Sequence, residues 1–131
     1  MDIDLSTGAA PSPERTLHLA ETMAELARVL NHQTGDHAAL RYPAEADRLV
    51  RSLETLAGRL PQLLGQVSAW LRQEQGAGRI EVSHGDWAGN AHAACTAASM
   101  RLEVAQMTAE TLRADLEAAA SVTSTMGGTE D

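Results

Sequence analysis

The side chains of this sequence with the greatest capacity for chemistry are five histidines, and their spacing indicates no metal centre. A zinc-binding pair on a helix needs histidines three or four residues apart on one face. No two of the five have that spacing: His18, His32, His37, His84 and His92. Solvated or helix-capping roles explain them more simply. We therefore assign no metal ligand and no cofactor, and a metal-dependent enzyme built on a small helical bundle remains an alternative hypothesis.

A thiol and two carboxylates are the other candidates for catalysis. Cys95 lies on a stripe of alanines, where a small buried hydrophobic residue is expected, and no histidine one turn away shares its row. Glu21 and Glu25 stand four residues apart, as in the carboxylate sites of helical bundles, but no predicted helix carries the Glu-x-x-His motif of a di-iron site. We assign no catalytic residue and expect a protein that is not an enzyme.

Charge and composition exclude further classes of function. All ten basic residues are arginine, which excludes a Schiff-base lysine, a Ser-Lys dyad and the lysine of a Walker phosphate loop. The formal net charge of −8 argues against direct nucleic-acid binding, because neutralising phosphates requires a basic face. Arginine without lysine, in an alanine-rich chain, is typical of a high-GC genome such as that of an actinomycete.

The sequence predicts no membrane insertion. Two of its first four residues, Asp2 and Asp4, are acidic, and no apolar signal core is present there. The longest uncharged runs, 60–71 and 87–100, are too short to cross a bilayer. We expect a cytoplasmic protein whose single cysteine forms no internal disulfide.

Apolar periodicity predicts an all-α protein with one helical domain over residues 12–122. Ser12 and Pro13 mark one helix start, Pro43 marks a second, and Asp86 is the expected N-cap of a third. The three helices are predicted over residues 13–32, 43–75 and 86–122. Residues without periodicity at either end are predicted to be disordered tails, over 1–11 and 123–131.

The second predicted helix carries the strongest pattern in the sequence. Its main stripe consists of apolar residues that alternate by three and four positions: Ala46, Leu49, Leu53, Leu56, Leu60, Leu63, Val67 and Trp70. A second row lies one residue further round, at Val50, Ala57, Leu64 and Leu71. A stripe this wide is typical of a helix in a bundle. Because the pattern continues through Pro61, we predict a kink there rather than a break.

The second and third helices are predicted to form a long antiparallel hairpin. Counting outward from the connector places a large residue opposite a small one at nearly every layer, which favours close packing. The predicted pairs are Trp70 with Ala91, Val67 with Cys95, Leu63 with Ala98, Leu56 with Ala105 and Leu53 with Ala109. In this register Ser99 and Gln106 are expected to be exposed.

The stripe also predicts self-association. The first helix is too short to cover it beyond Pro61, and an apolar patch on a soluble protein usually marks an interface. The residues expected near the centre of that interface are Leu64, Val67, Trp70 and Leu71. Two hairpins complete a four-helix bundle, so a homodimer is the simplest arrangement and another helical protein is the next partner to consider.

Two resemblances bear on function. Trp87-Ala88-Gly89, between two long helices, resembles the WxG turn of the WXG100 family of secreted helical hairpins. That resemblance implies a substrate that is secreted without a Sec signal. The chain differs from the family in having a helix before the hairpin and in lacking its C-terminal Tyr-x-x-x-Asp/Glu, since Tyr42 is the only tyrosine.

Residues 16–31 and 59–66 resemble short helical proteins of actinomycetes to which no activity is attached. The residues themselves favour a non-enzymatic interaction or scaffold module that self-associates through its amphipathic stripe. A WXG100-like secretion substrate and a metal-dependent bundle enzyme are the alternatives.

Overall fold

The computed structural model describes residues 3–129, and the regular structure in this part of the chain is helical throughout. The elements are, in order, α1 (Pro13–Thr34), a short 3₁₀ turn (His37–Ala39), α2 (Pro43–Gly76) and α3 (Ala91–Thr123). The predicted all-α class is therefore confirmed. The chain divides into two compact units, one up to Arg41 and one from Tyr42 onward.

The first unit contains α1, which begins where the sequence predicts. The side chain of Ser12 accepts a hydrogen bond from the backbone N–H of Arg15 at 3.1 Å, and Pro13 occupies the first helical position, where its missing N–H costs little. The Arg15 guanidinium also donates to the carbonyls of Asp4 at 3.0 Å and Ser6 at 2.6 Å. These bonds join part of the predicted N-terminal tail to the first turn of α1.

The predicted tails, 1–11 and 123–131, include the first two and the last two residues of the chain, which lie outside the described range. Whether the tails are disordered stays a prediction. At the other boundaries the helices are slightly longer than expected, since α1 ends at Thr34 and α3 at Thr123.

The second unit contains α2, which runs without interruption through Pro61. The continuity that the apolar pattern predicts is thus confirmed. Proline has no N–H to donate to the carbonyl four residues earlier, here that of Ala57. The carbonyl of Pro61 accepts a hydrogen bond from the side-chain amide of Gln106 on α3 at 3.0 Å, so the two helices are joined at this point.

The predicted start of α3 at Asp86 was wrong, because the helix begins at Ala91. Gly85 and Gly89 have φ values of +84° and +74°, a left-handed conformation that interrupts a helix and that glycine adopts without steric cost. The segment between them forms turns. Asn90 is the actual N-cap, and its side chain accepts a hydrogen bond from the backbone N–H three residues later at 3.0 Å.

α2 and α3 pack along a seam, defined here as the buried and half-buried residues with which the two helices face each other. On α2 the seam comprises Asp47, Val50, Glu54, Ala57, Pro61, Leu64, Ser68, Leu71 and Gln75. On α3 it comprises Cys95, Ser99, Leu102, Gln106, Ala109, Leu116, Ala120 and Thr123. Positions in both sets recur at three- and four-residue steps, except for one seven-residue step from Ala109 to Leu116, and this is the repeat of helices that pack lengthwise. Many of the side chains are small, which allows a close approach.

The predicted layers of the hairpin were wrong in both face and register. The second row of α2 faces α3, with Ala57 only 1% exposed, whereas Leu56 on the main stripe is 40% exposed. Under the predicted register Gln106 would lie beside Leu56. It lies instead at Pro61, and a Cβ atom on Gly65 would come within 2.8 Å of its side-chain nitrogen. Because α3 starts later than predicted, it is shifted along α2 by more than one turn.

The seam predicts different effects for the same substitution at a buried and at an exposed position of α3. Ser99→Leu should lower the free energy of unfolding by about 1–3 kcal/mol, because the wild-type side chain is 5% exposed and the larger one overpacks the seam. Ala114→Leu should be nearly neutral, since Ala114 is exposed on α3 and lies outside the seam. Urea denaturation of both variants measures the difference, and equal effects would contradict the seam described above.

Candidate functional site

Five of the eight residues of the main apolar stripe of α2 lie outside the seam and are exposed to water, whereas Ala46, Leu49 and Leu60 are half-buried. The exposed fractions are 36% for Leu53, 40% for Leu56, 44% for Leu63, 43% for Val67 and 58% for Trp70. Covering such a surface is favourable in proportion to the apolar area removed from water. We call this surface, with the α3 residues beside it, the leucine face, and define it as Leu53, Leu56, Leu63, Val67, Trp70, Ala98, Ala105 and Leu112.

Both helices contribute to the leucine face because its residues lie on one side of the hairpin. All of them except Leu112, which precedes the exposed Arg113, come one position before a seam position, as Leu63 and Ala98 do. In an antiparallel pair, residues displaced from the seam in the same direction along each sequence lie on the same side. The opposite displacement shows this geometry directly: Arg72 and Glu103 each follow a seam residue, and they form an ion pair across the hairpin at 3.7 Å.

The four residues predicted for the interface are divided by this arrangement. Leu64 and Leu71 are half-buried in the seam, whereas Val67 and Trp70 are exposed on the leucine face. The reason is that α3 takes the second row of α2 as its partner. The sequence prediction placed Leu56 and Leu63 inside the hairpin and did not identify them as surface residues. Their position on the same stripe as Val67 and Trp70 was the signal that could have identified them.

The opposite side of the hairpin carries a groove near the connector. Its lining includes Cys95, Ser99 and His92, with the Arg72–Glu103 ion pair beside them. Cys95 is buried, as expected, but His92 precedes it by three residues and lines the same groove, a neighbour that the sequence analysis missed. The hydroxyl of Ser99 is buried without a hydrogen-bond partner.

Two other histidines share a groove, and a third contacts a neighbouring hydroxyl. His32 and His37 line a shallow groove after α1, and the ring of His84 contacts the hydroxyl of Ser83 at 3.3 Å. In residues 3–129 no three side chains of histidine, cysteine, aspartate or glutamate converge as metal ligands would.

The open end of the hairpin, opposite the connector, is closed by a hydrogen bond between the two helices. The hydroxyl of Thr123 donates to the carboxylate of Asp47 at 2.6 Å, and Arg51 pairs with the same carboxylate at 3.0 Å. Both interactions favour the charged form, the Thr123 bond most strongly, and they lower the pKa of Asp47.

The lowered pKa of Asp47 predicts an acid-dependent loss of stability. A carboxylate of this kind stabilises the fold fully above its unfolded pKa of about 4, and the contribution disappears as the pH falls through the lower folded pKa. Asp47→Asn should therefore be destabilising at neutral pH, and its difference from wild type should shrink below about pH 4. Urea denaturation across this range measures the difference, with Asp115→Asn on α3 as the control. A difference that stays constant from neutral to acidic pH would contradict the role of Thr123 and Arg51.

The turn before α3 contains the Trp-x-Gly triplet. Gly89 needs its left-handed φ of +74° immediately before the N-cap of α3, and Trp87 remains 48% exposed. The backbone N–H of Gly89 donates to the carbonyl of Val82 at 2.8 Å, which closes the turn against the extended connector.

Comparison with known proteins identifies no relative of this chain. No family model, curated protein or solved structure matches the chain. Among the described helices, none has the length and apolar character needed to span a bilayer.

Proposed function

We propose that this chain is a non-enzymatic interaction module that self-associates through the leucine face. The observation that carries the proposal is the exposure of five of the eight residues of the main apolar stripe of α2, between Leu53 and Trp70. Leu56, Leu63 and Trp70 remain 40%, 44% and 58% exposed, although α3 packs beside them. Extended apolar patches of this kind mark interaction surfaces on soluble proteins.

A second copy of the chain is the partner that fits this surface best. Between Leu53 and Trp70 the main stripe carries no charged side chain, so two copies can meet there without electrostatic repulsion. This part of the stripe extends over about 25 Å at 1.5 Å per residue. Pairing two hairpins through this surface gives a closed four-helix bundle, the simplest arrangement that covers both copies equally.

The direct test is the mass of the full chain in solution. Light scattering after size-exclusion chromatography should give twice the chain mass of 13.9 kDa at micromolar concentration. A mass of one chain at tens of micromolar would contradict self-association, and would mean that the leucine face is covered by another protein or by a segment of the same chain.

A second candidate, a WXG100-like secretion substrate, is favoured by the turn before α3. There the glycine of the Trp-x-Gly triplet has a conformation that favours glycine, and the tryptophan is exposed between two long helices. In an actinomycete host, the protein should then appear in the culture medium only when the secretion ATPase is intact. Trp87→Ala should reduce export without unfolding the hairpin. Retention of the wild-type chain inside such cells would rule this candidate out.

A further inference from the structure

We infer that two copies pack about a two-fold axis parallel to the hairpin, so that α2 of each copy lies on α3 of the other. In this arrangement both connectors lie at the same end of the dimer. The inference rests on the proposed self-association through the leucine face, and it adds how the second copy is oriented.

The argument begins with the different sizes of the side chains that the two helices present. The α2 side of the leucine face consists of large residues: Leu53, Leu56, Leu63, Val67 and Trp70. The α3 side is mostly alanine, at Ala98 and Ala105, with Leu112 as its one large residue. Ala119, which is exposed, continues the same row. Each hairpin therefore has one side that projects and one that is recessed.

Two closed arrangements bring leucine faces together. With the two-fold axis across the hairpin, α2 packs on α2 and α3 packs on α3. Large side chains then meet large ones between the two α2 helices, and alanines meet alanines between the two α3 helices. Because helix separation follows the size of the contacting side chains, the α2 pair needs a larger separation than the α3 pair. Since α2 and α3 are fixed side by side within each hairpin, both distances cannot be optimal at once.

With the axis along the hairpin, each contact between copies joins α2 of one chain to α3 of the other. The two contacts are identical by symmetry, so a single separation satisfies both. The large residues of α2 nearest the connector, Leu63, Val67 and Trp70, enter the recess formed by Ala98 and Ala105 of the other copy, which is the alternation of large and small side chains that dense packing requires. The chain direction is antiparallel in both contacts, as it is within each hairpin.

The orientation can be measured by distances between spin labels in the full-length dimer. A Cys95→Ala background leaves no native thiol, and Ser83→Cys in the exposed connector places one label at the same end of each hairpin. The inference predicts a label-to-label distance of about 20–35 Å, set by the width of two helices. With the axis across the hairpin, the distance would be about 50 Å or more, the length of a helix of this size.

Two further labels separate the possible outcomes. Arg48→Cys, near the other end of α2, should also give a short distance, whereas a long one at both ends would overturn the inferred orientation. Gln62→Cys, near the middle of α2, should give a short distance in either arrangement and so reports the dimer itself. If the Gln62→Cys label gives no distance and light scattering shows one chain, the proposed self-association fails. If it gives a short distance while the end labels are far apart, only the orientation fails.

Discussion

Replacing Leu56 and Leu63 together with glutamate should convert the dimer into a monomer. Each side chain is about two-fifths exposed in the single chain, and a two-fold interface buries four such leucines. At about 25 cal/mol per Å² of apolar surface, the lost burial amounts to about 3 kcal/mol or more. The charge of the buried glutamates adds to this cost. We therefore expect the dissociation constant to rise by about 100-fold or more, measured by sedimentation or light scattering over a concentration series.

A matched control adds the same two charges away from the leucine face. Thr55→Glu with Gln62→Glu places glutamates at exposed positions on the side of α2 that is remote from both the seam and the face. This control should remain a dimer, and both double variants should keep the helical circular dichroism of wild type. Equal dissociation of the two variants would attribute the effect to net charge. A leucine-face variant that stays dimeric would show that another surface joins the copies.

The second large effect is expected at Pro61, where substitution by alanine should stabilise the protein. In a helix interior, proline removes a hydrogen bond and crowds the preceding turn, at a cost of about 3 kcal/mol. Alanine restores an N–H that can bond to the carbonyl of Ala57, and the carbonyl of residue 61 stays available to Gln106. The half-buried proline ring loses some contacts in the seam, so we expect a net gain of about 1–3 kcal/mol in the free energy of unfolding.

The control for this substitution lies in the same helix. Pro43 occupies the first position of α2, where the N–H would have no helical partner, so Pro43→Ala should bring no comparable gain. Denaturation of both variants should be compared at one protein concentration, because the stability of a dimer depends on concentration. An unchanged or lower stability of Pro61→Ala would indicate that the ring packs in the seam more favourably than a helical hydrogen bond.

The sequence by itself determined which segments of this protein are helical and where two of the helices begin. Periodic apolar residues and the prolines at the first helical positions are local signals, and they act within a few residues of themselves. Ser12, for example, caps α1 by bonding to an N–H three residues away. The continuity of α2 through Pro61 was also predictable, because the apolar pattern is in phase on both sides of it.

Only the tertiary structure decided which faces of α2 and α3 meet. On α2 the main stripe and the second row are both apolar. On α3, Ala98 and Ser99 follow Cys95 by three and four residues, so either could lie on the same face of the helix as Cys95. A pattern this broad allows more than one seam. The left-handed glycines of the connector, Gly85 and Gly89, delay the start of α3 and so set the register. Small seam residues then let the helices approach closely, and this packing leaves the leucine face, which could have formed the core, on the surface.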